Sequence, residues 1–145
     1  MRLGGVAALV SIAGPSLLLP ASLHVTLTPR TAGAATVRVQ LTVHTELQCG
    51  RPAPGKITVT LPASERLPAR PAVRLNNAPV KARVVKHRVS FVVPPPSGVI
   101  CDVIGPGSFT VTIAHLHNPS RAGAYRFSLV YGGRTLATTA RVVPS

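Results

Sequence analysis

Val37-Arg-Val-Gln-Leu-Thr-Val-His44 decides the fold. Val37, Val39, Leu41 and Val43 alternate with Arg38, Gln40, Thr42 and His44, a period of two that turns one face of a strand to a core and the other to solvent. The pattern returns down the chain. Ile57, Val59 and Leu61 alternate with Lys56, Thr58 and Thr60, and Phe109, Val111 and Ile113 with Ser108, Thr110 and Thr112. Tyr125, Phe127, Leu129 and Tyr131 alternate with Arg126, Ser128 and Val130. No stretch carries apolar residues at helical spacing with caps. An all-β chain of about nine strands is expected, at 23–28, 36–46, 56–61, 72–75, 79–86, 88–93, 108–114, 125–131 and 134–143.

Turn residues divide these strands. Asn76-Asn77-Ala78 and Tyr131-Gly132-Gly133-Arg134 tolerate the positive φ of tight hairpins. Pro94-Pro95-Pro96 ends a strand, since it has no N–H to give a ladder. No internal repeat of about 20–50 residues exists, which excludes solenoids and propellers. Phe91, Phe109, Tyr125, Phe127 and Tyr131 all share the parity of the core positions and are expected to pack there. Many short strands at this spacing predict a sandwich or barrel.

Composition bounds the rest. The 145 residues suit one domain, and 46% hydrophobic residues are too many for a disordered basic tail. Lys and Arg total 16 against 3 Asp and Glu, a formal charge of +13. So few carboxylates leave little material for acid/base pairs or hard-metal cages.

Met1-Arg2 is followed by an uncharged stretch from Leu3 to Leu23 and by small residues at Pro20-Ala21-Ser22. This is the pattern of a secretory signal peptide, with residues 1–21 removed and 22–145 forming the domain. The alternative is an uncleaved membrane anchor, against which Gly4, Gly5, Gly14, Pro15 and Pro20 count. Contact with a membrane is expected only through that leader, if it is uncleaved. A second small-x-small site at Ala32-Gly33-Ala34 would delete the first strand. Cys49 and Cys101 are the only cysteines, and no Cys-x-x-Cys is present. In an oxidising compartment they pair with each other, closing a loop that contributes roughly 4 kcal/mol on the chain-entropy model; the alternative is two buried thiols.

Several segments resemble a known module. Lys56-Ile-Thr-Val-Thr-Leu-Pro-Ala63, Arg66-Leu-Pro-Ala69 and Val73-Arg-Leu-Asn-Asn77 look like parts of an immunoglobulin-like β-sandwich common in secreted bacterial cell-surface proteins. Val111-Thr-Ile-Ala114 followed by Asn118-Pro-Ser-Arg-Ala-Gly-Ala-Tyr125 is similar to its closing segment. Gly123-Ala-Tyr125 also resembles the tyrosine corner of such folds, in which a Tyr hydroxyl bonds upstream backbone. The resemblance implies an antiparallel sandwich of about seven to nine strands. Arg121 and Phe127 stand where antibody domains carry Asp and the second Cys, which excludes that family.

If the strands alternate up and down, the loops after the first, third, fifth and seventh share one end. Those loops carry Arg30, Glu65, Arg66, Arg70, Lys86, His87, Arg88, His115, His117 and Arg121. Lys81, Arg83 and Arg88 point outward from neighbouring strands, because Val80, Ala82, Val84 and Val89 face inward. Cys49 and Cys101 fall at the opposite end, consistent with their pairing. With so few acids the surface potential is positive. The cations Arg30, Arg66, Arg70, Lys81, Arg83, Lys86, Arg88 and Arg121 are therefore candidate anion-binding residues, for an acidic cell-envelope polymer or glycan. General solubility in an Arg-rich proteome is the competing explanation of the charge.

His115-Leu116-His117 with His87 supports an alternative, a small exported Cu- or Zn-binding protein, although no carboxylate is placed to orient the rings. Catalysis is not expected. Asp102 lies at the end opposite the histidines, and Glu46 opposite Glu65, so neither a triad nor a carboxylate pair assembles. No phosphate-cradling loop precedes a helix, and no cofactor is expected. Export, scarce aromatics and the lack of a recognition helix argue against nucleic acid. The sequence thus reads as a secreted or envelope-associated, non-catalytic binding or structural module.

Overall fold

The computed structural model describes residues 21–45, 55–93 and 107–145. Residues 1–20 of the expected leader, Glu46, Cys49, Pro94 to Pro96, Cys101 and Asp102 lie outside the described residues. Ten strands are present among them: β1 (Ala21–Thr28), β2 (Val37–Thr45), β3 (Lys56–Thr60), β4 (Ala72–Leu75), β5 (Ala78–Val80), β6 (Arg83–Val85), β7 (Arg88–Val92), β8 (Gly107–Leu116), β9 (Gly123–Tyr131) and β10 (Arg134–Val142). They form two antiparallel five-stranded sheets, β1-β2-β8-β4-β5 and β10-β9-β3-β7-β6. The all-β sandwich expected from the alternation is the observed architecture.

Burial follows the parity read from the sequence. Val37, Val39, Leu41 and Val43 are fully buried, and Arg38 and His44 on the other face are exposed. Ile57, Val59, Val111, Ile113, Phe127 and Leu129 join them from both sheets in one core. Each such side chain stabilises the fold by roughly 1.5–3 kcal/mol. Phe109 of one sheet meets Tyr131 of the other edge to face, with ring centroids 5.4 Å apart. Phe91 is buried too, whereas Tyr125 is half-buried and donates its hydroxyl to the Arg121 carbonyl at 2.7 Å. That is the bond a tyrosine corner makes.

Both expected hairpins form on left-handed residues, Asn76 and Asn77 at φ 49 and 70 and Gly132 and Gly133 at φ 53 and 77. Two strands differ from expectation. The single strand at 79–86 is two, β5 and β6, because the chain crosses at Lys81-Ala82 from one sheet to the other. Parity cannot show this change, since Val80, Ala82 and Val84 all pack against the core. The strand at 108–114 runs on to Leu116 through a bulge. Val39 faces Ile113 but Val37 faces Leu116, so β8 holds one extra residue, and His115 adopts φ 68. The bulge swaps parity and lets Leu116 enter the core.

Candidate functional site

The loops at 29–36, 61–71, 86–87 and 117–122 meet at one end of the sandwich, where backbone hydrogen bonds join them. Arg66 and His117 exchange N–H to carbonyl bonds at 3.1 Å in both directions, and Leu61 N–H donates to the His87 carbonyl at 2.9 Å. Gly33 N–H reaches the Pro119 carbonyl at 2.8 Å, and Asn118 N–H the Ala34 carbonyl at 2.9 Å. The C-terminal segment joins through Val143 N–H to the Arg30 carbonyl and Ala32 N–H to the Val143 carbonyl. Asn118 is the buried centre of this end. Its Nδ2 donates to the carbonyls of Pro29 and Thr31, both at 2.9 Å.

Arg30, Arg66, Arg70, Lys86 and Arg121 project into solvent from these loops. Lys81 and Arg83 do not belong to this end; they lie at the crossover edge, while Arg88 starts β7 beside it. A cleft of about 490 Å³ opens between the loops, lined by Ser64, Arg66, His117, Asn118 and Ser120 among others. Glu65, the one carboxylate expected among these loops, is at this end but does not stand among the cations. Glu65 N–H closes a turn onto the Pro62 carbonyl at 3.0 Å, and the side chain turns inward to 1% exposure. Neither carboxyl oxygen has a hydrogen-bond partner, and burial pushes its pKa up to about 7. Every cation of the chain except Arg2 and Arg51 lies within the described residues, and Glu65 is the only Asp or Glu there. The surface charge therefore has no carboxylate counter-charge among the described side chains.

The alternative metal reading does not assemble. His115 stands on the bulge and His117 on the cleft wall, both exposed, while His87 sits in the β6–β7 turn. Among the described residues no three His, Cys, Asp or Glu side chains stand close enough to hold a metal ion.

The sequence reading missed a second basic locus. On the outer face of the β1-β2-β8-β4-β5 sheet, Gln40, Thr112 and Arg74 lie in one cross-strand row. Arg38, Ala114 and Ala72 occupy the adjacent part of that face. The two alanines leave a depression of about 390 Å³ walled by Arg38, Gln40, Arg74 and Asn77. It adjoins a second, of about 260 Å³, lined only by Gln40, Asn76, Asn77, Thr110 and Thr112. Arg74 is braced by its Nη1 donating to the Asn77 carbonyl at 2.7 Å, and Asn76 Oδ1 accepts from Thr110 N–H at 2.9 Å. The signal available in the sequence was the outward parity of Arg38 and Arg74, which count of loop charges overlooks.

No protein-family model matches the chain, and no curated protein matches it. Among solved structures it is similar to BslA, described as a bacterial hydrophobin, with a TM-score of 0.60 and 21% identity over 87% of this chain and 100% of that one. It is also similar to BcpA, the major pilin subunit of Bacillus cereus, with a TM-score of 0.55 and 10% identity over 98% of this chain. A variant of that pilin aligns with a TM-score of 0.56 and 9% identity. The chain spans 44% of the pilin's length. At these identities the likeness is one of fold.

Proposed function

We propose that this chain is a secreted, non-catalytic structural or binding module that associates with acidic polymers of the cell envelope through its cationic surface. The observation that carries this reading is the unbalanced charge of the described surface: thirteen of its cations are exposed and Arg134 is half-exposed, while the one described carboxylate is buried. Such a surface attracts polyanions over a Debye length of about 8 Å at physiological ionic strength. Similarity to a hydrophobin and a pilin subunit agrees with a structural role outside the cell.

The domain is an immunoglobulin-like sandwich on this reading. The neighbours β1-β2-β8-β4 and β3-β9-β10 follow the ABED and CFG order of that fold, with the β6–β7 hairpin added beside β3. The Tyr125–Arg121 bond supports it at the start of β9. Residues 1–21 act as the leader; β1 pairs with β2 from Ala21 to Thr28, so cleavage after Ala34 would remove an edge strand. The expected disulfide between Cys49 and Cys101 falls outside the described residues and belongs to this reading. The strand ends that flank them support this, because Thr45 pairs with Gly107 and Val93 N–H reaches the Gly55 carbonyl at the same end.

A hydrophobin-like role finds less support among the described residues. The exposed large apolar side chains are Val85, Val92 and Val130, and β3 separates Val92 from Val130. The test is fractionation of cells expressing the full chain, followed by a salt series on the isolated envelopes. The protein is expected in the envelope fraction and is released as salt rises. Retention insensitive to salt would overturn the electrostatic association, and recovery inside the cell would overturn export.

A further inference from the structure

We infer that the outer face of the β1-β2-β8-β4-β5 sheet, between Arg38 and Arg74, is a binding groove for a carboxylate-bearing glycan. The inference rests on the acidic-polymer reading above and names the surface and the ligand class. Outward side chains normally cover a sheet face evenly. Here Ala72 and Ala114 lower the floor, and the taller Arg38, Gln40, Arg74 and Asn77 stand around it. From strand spacing and rise, the two arginine Cα atoms are roughly 12 Å apart, so both guanidinium groups can reach a ligand seated between them. The depression falls in the size range of small-ligand sites.

The chemistry of the rim selects the ligand. A guanidinium is a planar fork of five N–H donors that matches a carboxylate with two parallel bonds. Arg74 uses one nitrogen on the Asn77 carbonyl, which holds the side chain in place and leaves donors for a ligand. The side-chain amides of Gln40 and Asn77 and the hydroxyl of Thr112 offer both donors and acceptors, as sugar hydroxyls require. The neighbouring depression, with Thr110 and Asn76, extends the polar lining in the direction a chain of sugars would follow. The groove contains no aromatic ring; Phe91, Phe109, Phe127 and Tyr131 are in the core and Tyr125 is tied to Arg121. Neutral glycans, which depend on stacking against such rings, have little to hold here. A uronate chain has both the charge and the hydroxyls.

Isothermal titration with polygalacturonate at low salt tests the assignment on the mature chain. Two double variants carry the same loss of charge: Arg38→Gln with Arg74→Gln in the groove, and Arg66→Gln with Arg121→Gln at the loop end. Thermal melting confirms that both are folded. The groove variant is expected to bind at least tenfold more weakly, the loop variant within threefold of the parent, and neutral dextran not at all. Equal losses in the two variants, or a larger loss at the loop end, would overturn the groove and leave the acidic-polymer reading standing. Tighter binding to poly(glycerol phosphate) than to polygalacturonate would overturn the carboxylate assignment. A parent chain that binds neither polymer would overturn both readings.

Discussion

The loop end and the sheet groove are both basic, yet they are built in opposite ways. At the loop end several polar groups hold the backbone: Asn118 Nδ2 bridges two carbonyls, Arg66 and His117 pair through their main chains, and Tyr125 bonds the Arg121 carbonyl. Its cations project outward from that scaffold. In the groove strand pairing satisfies most of the backbone, with Arg74 Nη1 on the Asn77 carbonyl and Asn76 Oδ1 on Thr110 N–H, and the side chains of Gln40, Arg74 and Thr112 share a common surface. The number of charges and the organisation of a binding surface are thus separate properties. More cations lie at the loop end, but the groove sets its two among amides and a hydroxyl over a low floor.

Three substitutions sharpen this contrast, and Glu65 should show the largest effect. Burial raises its pKa in the folded chain from 4.5 to about 7, so between these values the folded chain keeps a proton that the unfolded chain has released. Stability from this group is therefore fully present below pH 4.5 and is lost as pH rises toward 7, by ~3 kcal/mol in all. Glu65→Gln should remove that dependence. Urea unfolding of both proteins from pH 4.5 to 8 should give stability differences that change by about this amount. Parallel curves would mean that the carboxyl ionises normally in the fold.

Asn118→Ala comes next. It deletes two part-buried side-chain bonds and leaves the Pro29 carbonyl without its partner, at a cost of about 2–3 kcal/mol. Hydrogen exchange should quicken at Ala32, Gly33 and Arg66, whose amides tie the loops together, and stay slow in β2 and β8. Uniform protection would show that the loops do not depend on this side chain.

The groove should respond least. Asn76→Ala removes an exposed bond to Thr110 N–H and puts alanine at φ 49, costing about 1 kcal/mol in thermal or urea unfolding. A loss as large as that of Asn118→Ala would erase the contrast between a locked end and a sheet-borne face.

The period of two made the sandwich legible in the sequence. Strand parity depends only on the alternation of neighbouring residues, so Val37 to Val43 and Phe127 to Tyr131 showed their buried faces without any partner in view. The Asn76-Asn77 and Gly132-Gly133 turns were equally local, because positive φ is a property of those residues themselves. The gathering of odd-numbered loops at one end followed from counting strand reversals.

What tertiary structure alone decided was where the chain changes sheet and which polar groups share a surface. The crossing at Lys81-Ala82 leaves parity intact, and the bulge at His115 depends on register against β2. The sequence places Glu65 in a loop at the cationic end, but only the turn at Pro62 and the packing around it bury its side chain, as is rare for its type. Arg38 and Arg74 are far apart in sequence, and only the pairing of β2 and β4 on either side of β8 sets them over the same two alanines. Alternation is encoded residue by residue, whereas juxtaposition across strands exists only once the register is set.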